Sequence, residues 1–185
     1  MPCARWWQAV HKFTRGVLFL VVAAIAATAG LYFNSADRPG LSTPAGAPDA
    51  LLRAALTDLA GKPQRLDQWK GRVLVVNFWA TWCAPCREEI PALMKVQKKH
   101  DPKIVQIVGI AVDNVDKVRE YAAEMKIDYA LLVGGMDTLG VMKEAGNRAG
   151  VLPYSLLLDR NGKLVHAHVG ALTEAALDTM LAPLL

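Results

Sequence analysis

The chain has 185 residues, which is enough for one domain of ordinary size and an appendage. Its hydrophobic content of 53% is high for a wholly soluble protein, and its net charge of +4 forms no basic stripe that predicts a nucleic-acid partner. The three cysteines, Cys3, Cys83 and Cys86, are too few and too unevenly spaced for a disulfide-stapled scaffold.

An uncharged N-terminal stretch, residues 16–33, predicts a transmembrane anchor. As a helix its 18 residues span about 27 Å, which is just enough for a bilayer core. Residues 1–15 contain bases and no acid, so they are expected in the cytoplasm, with the chain from residue 34 outside. The alternative is a signal peptide whose cleavage signal is Ala27-Thr28-Ala29, which would deliver a soluble protein to the same outer compartment.

Residues 34–50 are predicted to be a linker because they contain three prolines, two glycines and no large apolar cluster. Residues 51–185 are expected to form the folded domain. It opens with a short hairpin over Ala55–Leu59 and Gln64–Leu66, followed by one helical turn over Asp67–Gly71.

The rest of the domain alternates apolar, β-favouring runs with helical patterns. The predicted strands are Val73–Trp79, Ile104–Val112, Tyr129–Val133, Tyr154–Leu158 and Leu164–Val169. The predicted helices run from Pro85 to about His100, from a cap at Asp113 or Asn114, from a cap at Asp137 to Gly146, and from a cap at Thr173. Helix-linked strands imply a parallel set, and the turn Asn161-Gly162 adds an antiparallel edge. The fold class is therefore α/β, with a central mixed sheet flanked by helices.

Two cysteines separated by two residues, Cys83 and Cys86, lie at a predicted strand-to-helix junction. A helix N-terminus has unpaired N–H groups and a partial positive charge, so a thiol placed there ionises more easily. This arrangement is typical of a redox dithiol. A structural zinc site would need two more soft ligands, and no second cysteine pair exists in the sequence. A copper-delivery module using both thiols as Cu(I) ligands stays open as an alternative.

The segment from Val75 to Pro91, which contains Trp82-Cys83-Ala84-Pro85-Cys86, resembles the active-site segment of the TlpA/ResA family of thioredoxin-like proteins. The segments 150–155 and 158–162 resemble the second signature of that family. The resemblance covers roughly residues 51–185. It implies a thioredoxin-like fold and a membrane-tethered thiol–disulfide oxidoreductase facing the bacterial periplasm. Such proteins typically take electrons from a membrane thiol-transfer reductant and reduce apocytochrome c or copper-site assembly factors.

The resemblance also assigns roles to single residues. Cys83 is expected to be the exposed attacking thiol, and Cys86 is expected to resolve the mixed disulfide. Their redox-active disulfide takes the place of a cofactor, and no metal is expected. Pro153 is expected to be a cis-proline that leaves the backbone of Leu152 free to pair with a protein substrate. Trp82 is expected to form an apolar rim for the same substrate.

Asn77, Ala84 and Pro85 are expected to support the dithiol, but Asn77 departs from classical thioredoxins, which have a buried aspartate there. Because asparagine does not titrate, Glu88 or Glu89 is a candidate replacement for proton transfer, the alternative being that both acids simply favour the helix dipole. Ala84 gives no indication of the reduction potential, so a dithiol oxidase stays open beside a reductase. No obligate partner chain is indicated, and a monomer is expected.

Overall fold

The computed structural model describes residues 47–136 and 138–185. The predicted cytoplasmic segment, the anchor with its cleavage alternative, the linker as far as residue 46 and the predicted cap Asp137 lie outside the described residues. Within the described part of the chain, no helix is both long enough and apolar enough to cross a membrane.

Strands and helices alternate as the sequence pattern predicts. The strands are β1 (Leu56–Asp58), β2 (Pro63–Gln64), β3 (Val73–Trp79), β4 (Val105–Ala111), β5 (Ala130–Val133), β6 (Tyr154–Leu158) and β7 (Leu164–Val169). The helices are α1 (Ala47–Leu52), α2 (Ala84–Lys99), α3 (Val115–Met125), α4 (Thr138–Glu144) and α5 (Glu174–Leu181), with 3-10 turns at Leu66–Trp69 and Ala182–Leu184.

The strands form one mixed sheet in the order β2-β1-β5-β4-β3-β6-β7. The central strand β3 runs parallel to β4, with Val75 opposite Ile107, and antiparallel to β6, with Val75 opposite Leu157. All seven residues of β3 are buried, because helices cover both faces of the sheet. The predicted α/β fold, with a central mixed sheet, flanking helices and an antiparallel edge, is confirmed.

Two apolar clusters hold the helices against the sheet. On one face, Val75 of β3 lies in a cluster with Ile90 of α2 and Leu177 of α5. On the other face, Val76 lies in a cluster with Met142 of α4. Fully burying a side chain such as Ile90 contributes about 1.5–3 kcal/mol. The start of α2 is therefore held firmly at the carboxyl end of β3, where the two cysteines lie.

The folded part begins earlier than predicted. Helix α1 includes the last four residues of the predicted linker, 34–50, because Leu51 and Leu52 are buried against the α4 face of the sheet. The predicted helix caps are observed at Asn114, whose Oδ1 accepts from the N–H groups of Asp116 and Lys117, and at Thr173. Of the two candidates for the first of these caps, Asp113 has a different function in the structure, described below.

Candidate active site

The two cysteines occupy the first turn of α2, directly beyond the end of β3. Cys83 is the N-cap residue of the helix, and Pro85 follows in the first turn, where its missing N–H costs nothing. The two sulfurs form a disulfide, with the Cα atoms 5.3 Å apart. The Sγ atom of Cys83 also accepts a hydrogen bond from the Cys86 N–H at 3.3 Å. A thiolate on Cys83 would therefore gain both a donor and the positive end of the helix dipole.

The two cysteines differ in solvent access, although less than the sequence predicts. Cys83 is only 6% exposed and Cys86 is fully buried. The prediction of an exposed Cys83 is thus wrong for this oxidised state, because Cys83 lies within the apolar cluster against which Leu152 packs. The order of access is as predicted: an incoming sulfur has a narrow approach to Cys83 and none to Cys86.

A loop between α4 and β6 faces the dithiol. The Leu152–Pro153 peptide bond is cis, as the resemblance implies. Leu152 is half-buried and packs against both apolar clusters of the domain. Beyond it, the side chain of Trp82 is 68% exposed, which agrees with the predicted rim. Ala84 and Pro85 are also exposed. Of the predicted substrate-binding residues, Trp82 and Leu152 line one groove, and Pro153 directly follows Leu152.

An open groove of about 620 Å³ extends from these residues towards the start of α4. Trp82 and Leu152 line its dithiol end, and Met136 and Leu139 line the opposite side. Met136 is 74% exposed, so the groove carries apolar side chains at its surface. Its size and apolar lining suit a few residues of an extended polypeptide.

Asp113 anchors the loop that carries Trp82. Its Oδ2 atom accepts hydrogen bonds from the N–H of Thr81 at 3.0 Å and from the Thr81 hydroxyl at 2.5 Å. Burial alone would raise the pKa of Asp113, but the hydrogen bonds from Thr81 and Asn114 outweigh it and hold that pKa below its usual value. The charged carboxylate therefore fixes the approach to Cys83. The sequence pattern gave no sign of this contact, which joins residues 32 positions apart.

A buried carboxyl group lies behind the dithiol. Glu89, three residues after Cys86 and hence on the same side of α2, is 2% exposed. Its two oxygens accept hydrogen bonds from Asn77 Nδ2 at 2.6 Å and from the Leu172 N–H at 2.9 Å. Asn77 Nδ2 also donates to the Ser155 hydroxyl at 3.0 Å. Asn77 therefore supports the site as predicted, by holding an acid rather than by being one.

Desolvation raises the pKa of Glu89 to about 7, against the opposing effect of the hydrogen bonds from Leu172 and Asn77. A group with this pKa exchanges protons readily near neutral pH. Glu88, the other candidate, is exposed on α2. Of the two acids proposed from the sequence, only Glu89 lies where it can replace the aspartate of classical thioredoxins.

The described residues contain no group of three or more histidine, cysteine, aspartate or glutamate side chains placed to hold a metal ion. The dithiol therefore has no third ligand of these types in the part of the chain that the structure describes.

Comparison with known proteins gives a consistent result. The model of the Redoxin family matches residues 40–181. Thioredoxin-like protein YneN of Bacillus subtilis is 28% identical over 176 residues, which cover 93% of this chain and 98% of that protein. Thiol-disulfide oxidoreductase ResA of Bacillus cereus is 33% identical over 133 residues, which cover 68% of this chain and 71% of ResA.

Solved structures show the same likeness. A thioredoxin-related protein from Neisseria meningitidis serogroup B is 32% identical with a TM-score of 0.63, over 69% of this chain and 96% of that one. A thiol:disulfide interchange protein of the thioredoxin family from Chlorobium tepidum is 29% identical with a TM-score of 0.62, over 71% of this chain and 94% of that one. The range matched by the Redoxin model includes Cys83, Cys86 and Pro153.

Proposed function

We propose, from the premise that this chain belongs to the Redoxin family and is a ResA-like thiol–disulfide oxidoreductase, that it is a membrane-anchored periplasmic reductase of protein disulfides. The observation that carries the reductase direction is the buried carboxyl group of Glu89 behind Cys86. A carboxylate near the dithiol disfavours the thiolate and so favours the disulfide form of this protein. A protein whose own disulfide is favoured gives electrons to its client.

The proposed reaction has two sulfur-exchange steps. In the reduced protein, the Cys83 thiolate attacks a client disulfide, forms a mixed disulfide and releases one client sulfur as a thiolate. Cys86 then passes its proton to the Glu89 carboxylate and attacks Cys83 Sγ, which releases the second client sulfur. Two electrons have moved from the dithiol to the client, and the Cys83–Cys86 disulfide is the product. A membrane thiol-transfer reductant restores the dithiol for the next cycle.

Trp82, Leu152 and Pro153 are the proposed client contacts. Trp82, which precedes Cys83 in the chain, and Leu152, which precedes the cis-proline, line one groove together with Met136. An extended client segment containing the disulfide fits this surface, with apolar side chains against Trp82.

Trp82→Ala is expected to raise the KM for a protein disulfide, and an unchanged KM would contradict this contact.

The direction of electron transfer is tested by equilibrating the full-length protein with glutathione buffers and counting free thiols by alkylation and mass spectrometry. We expect a reduction potential below about −220 mV, nearer to that of thioredoxin at about −270 mV than to that of DsbA at about −120 mV. A potential near the DsbA value would make the protein an oxidase. Stoichiometric Cu(I) binding by the reduced protein without disulfide turnover would favour the copper-delivery alternative instead. Cys86→Ala is the control for the redox equilibration, because its Cys83 has no internal partner and cannot form the Cys83–Cys86 disulfide.

The membrane arrangement rests on the uncharged residues 16–33 and the basic residues before them. Cys3 and Cys83 then lie on opposite sides of the membrane. After mild reduction of intact spheroplasts, a membrane-impermeant maleimide is expected to label Cys83 and to leave Cys3 unlabelled until the cells are lysed. Labelling of both cysteines before lysis would contradict the topology. Recovery of a shortened chain without Cys3 in the soluble periplasmic fraction would show that the signal-peptide alternative is correct.

A further inference from the structure

The loop that carries Leu152 and Pro153 is held by one buried side chain, Asn147, which is 3% exposed. Its Nδ2 atom donates to the Val151 carbonyl at 2.7 Å, and its Oδ1 atom accepts from the Val151 N–H at 3.1 Å. The amide thus pairs with both backbone groups of Val151 as a neighbouring β-strand would. These two hydrogen bonds close residues 147–151 into a short ring. Val151, the last residue of the ring, directly precedes Leu152 and the cis-proline Pro153.

This pairing decides which backbone groups remain available beside the dithiol. Both backbone groups of Val151 are used within the loop, and the Pro153 carbonyl accepts from the Gly170 N–H at 2.9 Å. Between them, the N–H and the carbonyl of Leu152 have no hydrogen-bond partner among the described residues. Backbone groups of this kind bond readily to an added extended strand. Of the three residues Val151, Leu152 and Pro153, Leu152 is therefore the one whose backbone groups are free to pair among the described residues.

We infer that Asn147 is a positioning residue for the client polypeptide. By bonding both backbone groups of Val151, it fixes the conformation of the loop directly before Leu152. Without Asn147, the loop would lose this fixed shape, and the backbone of Leu152 would have to be ordered when the client binds, at a cost in affinity. The inference rests on the proposed function and gives Asn147 no part in the sulfur chemistry itself.

The chain contains a matched control. Gln97 is also buried, and its amide also bonds to a backbone carbonyl and a backbone N–H, with Nε2 donating to the Val105 carbonyl at 3.1 Å and Oε1 accepting from the Ile107 N–H at 2.7 Å. Its Oε1 atom accepts in addition from Gln106 Nε2 at 3.4 Å. These contacts lie at the amino end of β4, whereas the dithiol follows the carboxyl end of β3, which runs parallel to β4. Gln97→Ala therefore removes the same two kinds of backbone hydrogen bond, and the longer one from Gln106, far from the client surface, at a cost in stability that is at least comparable.

The test measures steady-state reduction of insulin and of hydroxyethyl disulfide by the full-length protein in detergent micelles, with dithiothreitol as electron donor. Asn147→Ala is expected to raise the KM for insulin about tenfold. A loss of affinity of this size corresponds to the loss of about one hydrogen bond between the protein and its client. The kcat for insulin, the rate with hydroxyethyl disulfide and the glutathione-equilibrated potential should stay within about twofold of the parent, because a small disulfide does not pair with Leu152. Gln97→Ala should keep the parent's KM.

Asn147→Asp provides a second variant should the alanine variant not fold, because it keeps the acceptor for the Val151 N–H and loses only the donor. Its KM for insulin is also expected to rise. The inference is overturned if the KM of both Asn147 variants equals that of Gln97→Ala, or if turnover of the small disulfide falls by the same factor. It is likewise overturned if the potential shifts with the KM. A parent protein that reduces neither disulfide would instead refute the proposed reductase, and the inference would fall with it.

Discussion

Cys83→Ser is expected to lose all disulfide reduction, whereas Cys86→Ser is expected to stop after the first sulfur exchange. A serine hydroxyl cannot form a disulfide, so the first variant lacks the attacking atom. The second variant keeps the attacking atom at the start of α2 and lacks the sulfur that releases the client. Non-reducing electrophoresis and mass spectrometry of the full-length variants with insulin measure the difference, since only Cys86→Ser should accumulate a mixed disulfide.

Burial is the reason for assigning the two cysteines in this order. Cys83 has 6% exposure and accepts the Cys86 N–H, whereas Cys86 is closed to any incoming sulfur. Cys3→Ser serves as the control and should retain the parent's activity, because the proposed topology places Cys3 on the opposite side of the membrane from the dithiol. Full activity of Cys83→Ser, or mixed disulfides on that variant, would show that this assignment of the attacking thiol is wrong.

The local pattern of the sequence was sufficient to predict the elements that carry this site. Val73–Trp79 is an unbroken apolar run of strand-forming residues, and the structure places β3 over the same residues. Asn161-Gly162 has the residues that a hairpin turn requires, with Gly162 at φ +80°, and β6 and β7 pair on either side of it. In each case the local conformation is determined by residues that are near neighbours in the chain. A pattern of a few residues is therefore enough to predict it.

Other features depend on residues that are distant in the sequence. Glu89 is buried because Asn77 and the Leu172 N–H, which lies 83 residues away, both bond to it. Its sequence context, a charged run at the start of a helix, is equally typical of a solvated face. The burial of Cys83 depends on packing with Leu152, and the inclusion of α1 in the fold depends on packing of Leu51 against the sheet. No periodicity within these segments indicates such contacts.

Glu89 is expected to make the stability of the oxidised protein depend on pH in an unusual sense. Burial raises the folded-state pKa to about 7 from an ordinary value of 4.5. Below pH 4.5 the group is protonated in both states and has no effect. Between pH 4.5 and about 7 only the folded state keeps the proton, so the free energy of unfolding falls as the pH rises. Above that range the penalty levels off at on the order of 3 kcal/mol.

The stability measurement compares Glu89→Gln with the parent, both full-length and oxidised, at pH 5 and pH 8. The difference in unfolding temperature, variant minus parent, should be roughly 10 °C larger at pH 8 than at pH 5. This comparison cancels any fixed cost of placing a glutamine amide near the Leu172 N–H. Glu88→Gln is the matched control on the exposed side of α2 and should follow the parent at both pH values. A constant difference for Glu89→Gln would contradict the raised pKa.

The same variant is expected to slow catalysis at the second exchange. Cys86 is fully buried and has to lose a proton before it attacks Cys83, and Glu89 is the titratable group placed three residues along the same helix to take it. Glu89→Gln should therefore accumulate the mixed disulfide, lower kcat by about 10²-fold and lose the inflection near pH 7 in the rate profile. Glu88→Gln should keep both the rate and the inflection. If Glu89→Gln kept them as well, the proton would have to leave Cys86 by another route, and the buried carboxyl would affect only stability and the reduction potential.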